Sequence, residues 1–344
     1  MASQTYQLFC IGNPLLDVQV TNGEELLKKY DLKANDAILA EEKHMSIHSS
    51  STPTATDELV KDYKVTYVAG GASQNAARGA AYVLPPNSVV YTGCVGDDNL
   101  ADQLRAANKR EGLQEVYLVK PGERTGACAV VLTGHDRSLV TTLRAAEKFE
   151  QSHLSSPTVA PLVDAAKVFY SVVLELSQKA SAASKVFAMN FSAPFIAQFF
   201  GTQLQSVLPY CDIIIGNETE AEAYAAANGL PDTKDLAAIA KAVAIFPKSN
   251  KSRPRVVVFT HGAESTTLVS SAEPDSPKVF KVSAIDKELI VDTNGAGDAF
   301  AGGFLGAYVA GKSLDECVEV GHKMGAMNIQ LVGPQYLWPK VSVL

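Results

Sequence analysis

The chain predicts an α/β protein: a doubly wound sheet flanked by helices, with a second, smaller β-sheet beside it. Three observations carry that expectation. From Ala166 onward, short apolar runs of strand type alternate with helical stretches. Between Val116 and Thr142, three strand-like runs follow in close succession across Pro121-Gly122 and Gly134-His135-Asp136-Arg137, which is hairpin chemistry. The length of 344 residues, with 47% apolar content, is enough to bury one large core with a small appendage.

Composition narrows the partners. The net charge is −7 and the Lys and Arg residues are scattered, so no basic field exists for nucleic acid or an anionic membrane. The five cysteines (Cys10, Cys94, Cys128, Cys211, Cys317) are odd in number and widely spaced, with no CxxC pair. That argues against a disulfide framework and against a zinc site. Met1 to Tyr6 shows no basic or apolar leader, and no uncharged apolar run reaches about 18 residues. A cytoplasmic protein, or one shared with the nucleus, is expected.

In chain order, Gln7 to Ile11 alternates and ends on Gly12-Asn13-Pro14. A first strand therefore feeds a turn with Asn13 and Asp17 at its exit, the edge at which α/β sheets bind ligands. The plain alternative is a turn and a cap. Val18 to Val20, Ile38 to Ala40 and Val65 to Val68 are short β pieces, with a helix over Glu24 to Tyr30, and together they suggest the small sheet. Ile47 to Thr56 is Ser/Thr-rich and interrupted by proline, an exposed loop. Gly70 and Gly71 would let a ligand approach the backbone, and Asn75, one turn into the next helix, carries both donor and acceptor for hydroxyl groups. The alternative there is a tight strand-to-helix turn with Asn75 solvated.

Val89 to Cys94 reads as a buried strand, Leu100 to Glu111 as a helix, and Val116 to Lys120, Ala127 to Leu132 and Leu139 to Thr142 as three further strands. Beyond Ala166 come strands at Val186 to Asn190, Ile213 to Gly216 and Arg255 to Thr260, and helices at Ala221 to Asn228, Thr233 to Ile245 and Leu314 to Leu331. Asn217 and Glu220, three apart at a helix start, share one face; a helix cap is the plain reading.

The most informative run is Asp292-Thr293-Asn294-Gly295-Ala296-Gly297-Asp298-Ala299-Phe300-Ala301-Gly302-Gly303-Phe304. Gly295 and Gly297 permit a tight turn with bare N–H groups, and the apolar helix over Ala299 to Ala310 points its N-terminus at the same spot, so negative charge is favoured there. Phosphoryl transfer needs fixed donors and a carboxylate to take a hydroxyl proton, and Asp298 stands where it could do so. An Asp in a first helical turn is also often only a cap.

This run resembles the C-terminal signature of the ribokinase-type (PfkB) carbohydrate and nucleoside kinases. Gly70 to Ala80 resembles the family's N-terminal signature, while Gly12 to Asp17 and Leu32 to Ala40 resemble its adenosine-phosphorylating branch. The resemblance implies a ribokinase-like fold, with a large domain over 1–16, 70–115 and 144–344 and a lid over 17–69 and 116–143. It implies transfer of the γ-phosphate of ATP to the 5′-hydroxyl of adenosine. Asp298 would be the base, Gly295, Ala296 and Gly297 with the Asp298 N–H would form the anion hole, and Arg137 would swing onto the transferring phosphate. Asn13, Asp17, Gly70, Gly71 and Asn75 would hold the ribose, with Leu39, Cys128 and Phe199 near the base. Asn217, Glu220, Thr260, Gly262 and Asn328 would serve the nucleotide, with Glu220 placing Mg²⁺ through water. His261 would be a wall residue, a monomer is expected, and a monovalent-cation requirement stays open. Two alternatives remain: another sugar or nucleoside kinase of the family, or a nucleoside-binding protein with little catalysis.

One departure from the family pattern stands out. Between Phe169-Tyr170 and Val186, a Gly-containing strand end, an aromatic pair and a longer helix are expected, yet only Ser171 to Lys185 remain. A crossover of about a dozen residues could still carry the fold; the expected consequences are a thinner purine wall, with Phe199 as the candidate stack, and buried backbone groups without partners, at a cost in stability.

Overall fold

The computed structural model describes residues 6–33, 37–44, 47, 63–133 and 136–344. Its main sheet has nine strands, in the order Lys278–Lys281, Ser265–Ser270, Val256–His261, Ile213–Asn217, Val186–Asn190, Val168–Tyr170, Leu8–Ile11, Val89–Thr92 and Gln114–Glu115. Neighbours from Val256–His261 to Gln114–Glu115 run parallel, and the other two strands are antiparallel additions.

The central strands are buried on both faces, as apolar runs such as Leu8–Ile11 and Ile213–Gly216 require. Period-2 alternation then divides them between two cores. Leu8, Cys10, Ile213, Ile215, Val256 and Val258 face helices Ala72–Val83, Ala296–Val309 and Leu314–Asn328. Phe9, Ile11, Ile214, Val257 and Phe259 face the core that takes in Leu176, Leu204, Tyr224 and Ile239 of four other helices. Glycine permits the closest helix contact: a Cβ on Gly302 would lie 2.4 Å from the Ala76 carbonyl oxygen.

A five-stranded sheet stands beside this body, in the order Ala37–Leu39, Asp136–Thr142, Gly126–Thr133, Leu15–Thr21 and Val65–Gly70. Its own small core joins Val18, Val20, Leu26, Tyr30, Ala129, Val131 and Val140. The expected hairpin forms, with Leu139 opposite Val130 and Thr142 opposite Ala127. Its turn, Gly134-His135, lies outside the described residues, as do Ala34 to Asp36 and, apart from Ile47, the whole of the expected loop to Thr56.

Three expectations need correction. Val116 to Lys120 does not join the small sheet. Instead, Leu118–Lys120 pairs with Cys94–Gly96 as a separate two-stranded ribbon. The Val116 and Leu118 N–H groups donate to Tyr91 and Gly93, which stitches this stretch to the main sheet's edge. Helix starts also moved. The Asn217 capping box begins one helix at Glu218 rather than Ala221, and the Asp235 side chain begins another at Leu236 rather than Thr233.

The third correction concerns the short segment after Tyr170, which builds a complete crossover. Val168–Tyr170 pairs with Val186–Ala188, and Leu174–Ala182 forms the helix between them, burying Leu176, Ser177 and Ala180. Ser171 donates its N–H to the Ala188 carbonyl and accepts the Val173 N–H on its Oγ, while the Lys185 N–H closes on the Ala180 carbonyl. The expected loss of backbone partners does not occur. About a dozen residues are sufficient for a parallel crossover.

Candidate active site

The site lies along the carboxyl edge of the main sheet, beneath the smaller sheet. Asn13 follows the Leu8–Ile11 strand, Asn190 ends Val186–Asn190, Asn217 ends Ile213–Asn217, and Thr260, its partner in register, stands one residue before the end of Val256–His261. A cavity of about 660 Å³ opens there, in the range that holds small ligands. Gly12, Asn13, Gly71 and Ser73 line one end, Ile38 and Leu39 overhang it from the small sheet, and Val172, Leu174, Phe195, Ile196 and Phe200 line the other.

Paired glycines make the first end possible. A Cβ on Gly70 would lie 2.1 Å from Asp17 Oδ1, and one on Gly71, whose φ is +86°, would lie 2.3 Å from the Asn13 carbonyl oxygen. Only bare backbone lets the two strands close around Asp17. Asp17 is buried and accepts a 3.4 Å bond from Asn294 Nδ2. Burial, then the nearby Asp298 charge, raises its pKa to about 7.

Asp298 lies in the first turn of Ala296–Val309, a helix entered through Gly295 at φ +79°. Its carboxyl pKa is pushed up to about 7 by burial, against the opposing effects of an Asn75 hydrogen bond and the Arg137 charge. Asn75 Nδ2 donates to Asp298 Oδ2 at 3.0 Å. The Ala296 N–H turns back to the Thr293 carbonyl at 3.3 Å, so the outward donors of the turn are those of Gly297 and Asp298, for which an α-helix supplies no acceptor. A Cβ on Gly297 would meet nothing within 4 Å. Open space therefore fronts the helix N-terminus, where an anion is favoured.

Arg137 comes from the small sheet and reaches this loop, bonding Thr293 Oγ1 and standing 4.0 Å from Asp292. Asp292 ties the loop down, accepting the Asn294 and Gly333 N–H groups at 2.8 Å each. Glu220 is buried, with both carboxylate oxygens bonded by Asn217, one by its N–H and one by Nδ2. Burial first, then Asp298 and Glu218, raise Glu220 to about 7 even against the Asn217 N–H bond. Gly262, at φ +48°, makes the turn after Thr260.

The cavity therefore gathers Asn13, Leu39 and Gly71 of the expected substrate residues, with Asp17, Gly70, Asn75 and Asp298 packed behind its glycine-lined end. Two expected contacts are displaced. Phe199 is 75% exposed and lies off the cavity wall, because its helix stops there and the turn of the chain brings Phe200 inward instead. Asn328 is wholly buried and donates to the Gly333 carbonyl at 3.1 Å, so it braces the C-terminal loop and has no surface for a nucleotide. Cys128 is buried beside Asp17 in the small sheet, with its Sγ bonded by Thr141. The wall residues Val172, Leu174, Phe195 and Phe200 and the anchor Asp292 were missed. Only the apolar lead into Asn190-Phe191-Ser192-Ala193-Pro194-Phe195 signalled the wall.

Residues 24–341 match the pfkB family of carbohydrate kinases. The chain belongs to that family. Among its relatives, the adenosine kinase of Schizophyllum commune is 64% identical over 350 residues, covering 99% of each chain. The adenosine kinase of Schizosaccharomyces pombe is 43% identical over 348 residues, covering 98% of each. Of solved structures, Anopheles gambiae adenosine kinase in complex with P1,P4-di(adenosine-5) tetraphosphate superposes with a TM-score of 0.89 at 37% identity, covering 96% of each chain. Schistosoma mansoni adenosine kinase in complex with 2-fluoroadenosine gives 0.89 at 33% identity, covering 97% of each. The likeness to these structures thus extends over 96% or more of the chain.

Proposed function

We propose that this chain transfers the γ-phosphoryl group of ATP to the 5′-hydroxyl of adenosine, giving AMP and ADP, and so serves purine salvage. One observation carries the mechanism: a carboxylate of raised proton affinity, Asp298, stands in the first turn of a helix whose N-terminus has open space at Gly297. A base with a pKa of about 7 is half-ionised near neutrality, where it can take the hydroxyl proton as the new bond forms. The first-turn donors and Arg137 meet the charge on the peripheral oxygens of the transferring group. Asn13, Asp17 and the backbone at Gly70-Gly71 hold the ribose, while Leu39, Phe195, Ile196 and Phe200 enclose the purine.

The nucleotide lies along Asn217, Thr260 and Gly262. Mg²⁺ fits Glu220 as a neighbour reached through water. The carboxylate is buried and short of compensating charge, yet Asn217 bonds both of its oxygens, and among the described residues no three His, Cys, Asp or Glu side chains gather to chelate a cation directly. When bound, the ion neutralises phosphate charge. Acceptor and nucleotide groups come from one chain, so a monomer suffices. No helix among the described residues is long and apolar enough to cross a membrane, and we place the enzyme in the cytoplasm.

The relatives above, named as adenosine kinases, favour adenosine over a sugar as acceptor. The test is ATP-dependent ADP release with adenosine, ribose and fructose offered in turn. Adenosine should exceed both sugars in kcat/KM by at least about a hundredfold. Preference for either sugar, or no turnover with adenosine, would refute the assignment.

A further inference from the structure

Behind Asp298 runs a buried polar chain of Asn75, Arg78 and Glu111. Asn75 donates its Nδ2 to Asp298 Oδ2 at 3.0 Å, and its Oδ1 faces Arg78 Nη1 at 3.4 Å. Arg78 is held in turn. Its Nε and Nη2 fork onto the two oxygens of Glu111 at 2.5 and 2.9 Å, and Nη1 also donates to the Ala69 carbonyl at 2.9 Å. Both members of the ion pair are fully buried, and Glu111 is the last residue of the helix Asn99–Glu111.

An amide presents an acceptor at one end and a donor at the other, and a guanidinium offers donors only. Whichever Asn75 atom faces Arg78 must therefore be the oxygen, which turns the nitrogen to Asp298. We infer that Arg78, locked by Glu111, is a positioning residue for the base: it dictates that Asp298 meets the donor end of Asn75 rather than the acceptor end. With Arg78 gone, the amide can turn over and set Oδ1 against the carboxylate, which disfavours the ionised form that catalysis needs.

The other groups facing Asp298 do not supply this constraint. Arg137 reaches it from the strand Asp136–Thr142, Asp17 from Leu15–Thr21, Tyr170 from Val168–Tyr170, Glu220 from Glu218–Ala227 and Tyr336 from the C-terminal segment, with Asp292 in the loop before it. Tyr336 bonds the Asn75 carbonyl and so fixes its backbone, but not the direction of its amide.

The inference rests on the adenosine-phosphorylating reading, and its test separates the two. The pH dependence of kcat/KM for adenosine is measured for the parent chain, Arg78→Lys, and the doubly neutral Arg78→Met/Glu111→Leu, each with its thermal unfolding. The double variant keeps the net charge, though it also frees Arg110 from Glu111, and Arg78→Lys keeps the cation in place while losing the fork, so the two together separate a released amide from a lost cation. The acid limb of the double variant should rise by about one pH unit, with a smaller rise in Arg78→Lys, whose single point donor cannot serve Glu111 and Asn75 together. A folded double variant with the parent's acid limb would overturn the inference. Should that variant not fold, Arg78→Lys decides alone: a raised limb supports the positioning role and an unmoved limb rejects it. Inactivity of the parent chain toward adenosine would instead refute the functional reading beneath it.

Discussion

Asp17, Glu220 and Asp298 each carry a pKa raised to about 7, with burial the largest cause. The stability consequence has a definite sign. A carboxyl whose folded pKa exceeds its unfolded value holds a proton in the native state that the unfolded chain has lost, so stability falls as pH rises from about 4 to about 7 and stays lowered above that. Replacing Asp298 by Asn removes this cost. Asp298→Asn should therefore unfold about 2–4 °C above the parent at pH 8, with the gain about a third as large at pH 5, as read by thermal melts at the two pH values. A variant less stable than the parent at pH 8 would mean that Asp298 is a structural cap. The Asp298 turn was legible in the sequence because glycine chemistry and helix entry are local. The bond from Asn75 was not, because it joins side chains 223 residues apart. Phe199 was named as the candidate stack because the aromatic pair expected after Tyr170 is missing, and the sequence did not show that the helix ends at Phe199 with Phe200, not Phe199, on the cavity lining. Phe200→Ala should accordingly raise the KM for adenosine about three- to tenfold, whereas Phe199→Ala should stay within about twofold; the reverse order in steady-state kinetics would restore Phe199 to the wall.

Among the elements, the main sheet and its helices could be read almost strand by strand, since apolar runs, caps and helical spacing are written within a dozen residues. Lys278–Lys281 escaped notice because an exposed antiparallel edge strand carries a weaker pattern, and Ser265–Ser270, buried beside it, because its Ser and Thr residues give no apolar run. Leu118–Lys120 was sent to the wrong sheet because strand partners are fixed by tertiary bonds, not by sequence nearness. The short crossover shows the same limit from the other side: its length looked like a defect, yet it closes the parallel connection with its bonds made. Arg137 spans from the small sheet to the loop at Asp292 and Thr293, and the proposed mechanism gives it the transferring phosphate. Removing that side chain leaves the ribose contacts intact. Arg137→Ala should lower kcat by at least about tenfold with the adenosine KM little changed; an unchanged kcat in initial-rate measurements would make the arginine a mere latch between the sheets.

For the whole molecule, the reading is that two sheets bring a ribose-binding end, an apolar purine wall and a helix N-terminus to one edge. The end proposed for the ribose was named in the sequence as Asn13, Asp17 and Gly70-Gly71, which the fold brings together. Its depth was not legible, since the closeness of Asp17 to Gly70 follows from strand pairing alone. Buried hydroxyl partners make such a site intolerant of their loss, so 2′,3′-dideoxyadenosine should fall below adenosine in kcat/KM by about 10³ or more, and equal efficiency would remove Asp17 from the ribose site. The central claim is that Asp298 takes the hydroxyl proton during transfer and does little for binding. The direct measurement pairs turnover with calorimetric adenosine binding for Asp298→Asn. The predicted result is turnover lower by at least about a hundredfold with affinity within about threefold of the parent. Near-normal turnover, or a loss of turnover matched by an equal loss of affinity, would contradict it.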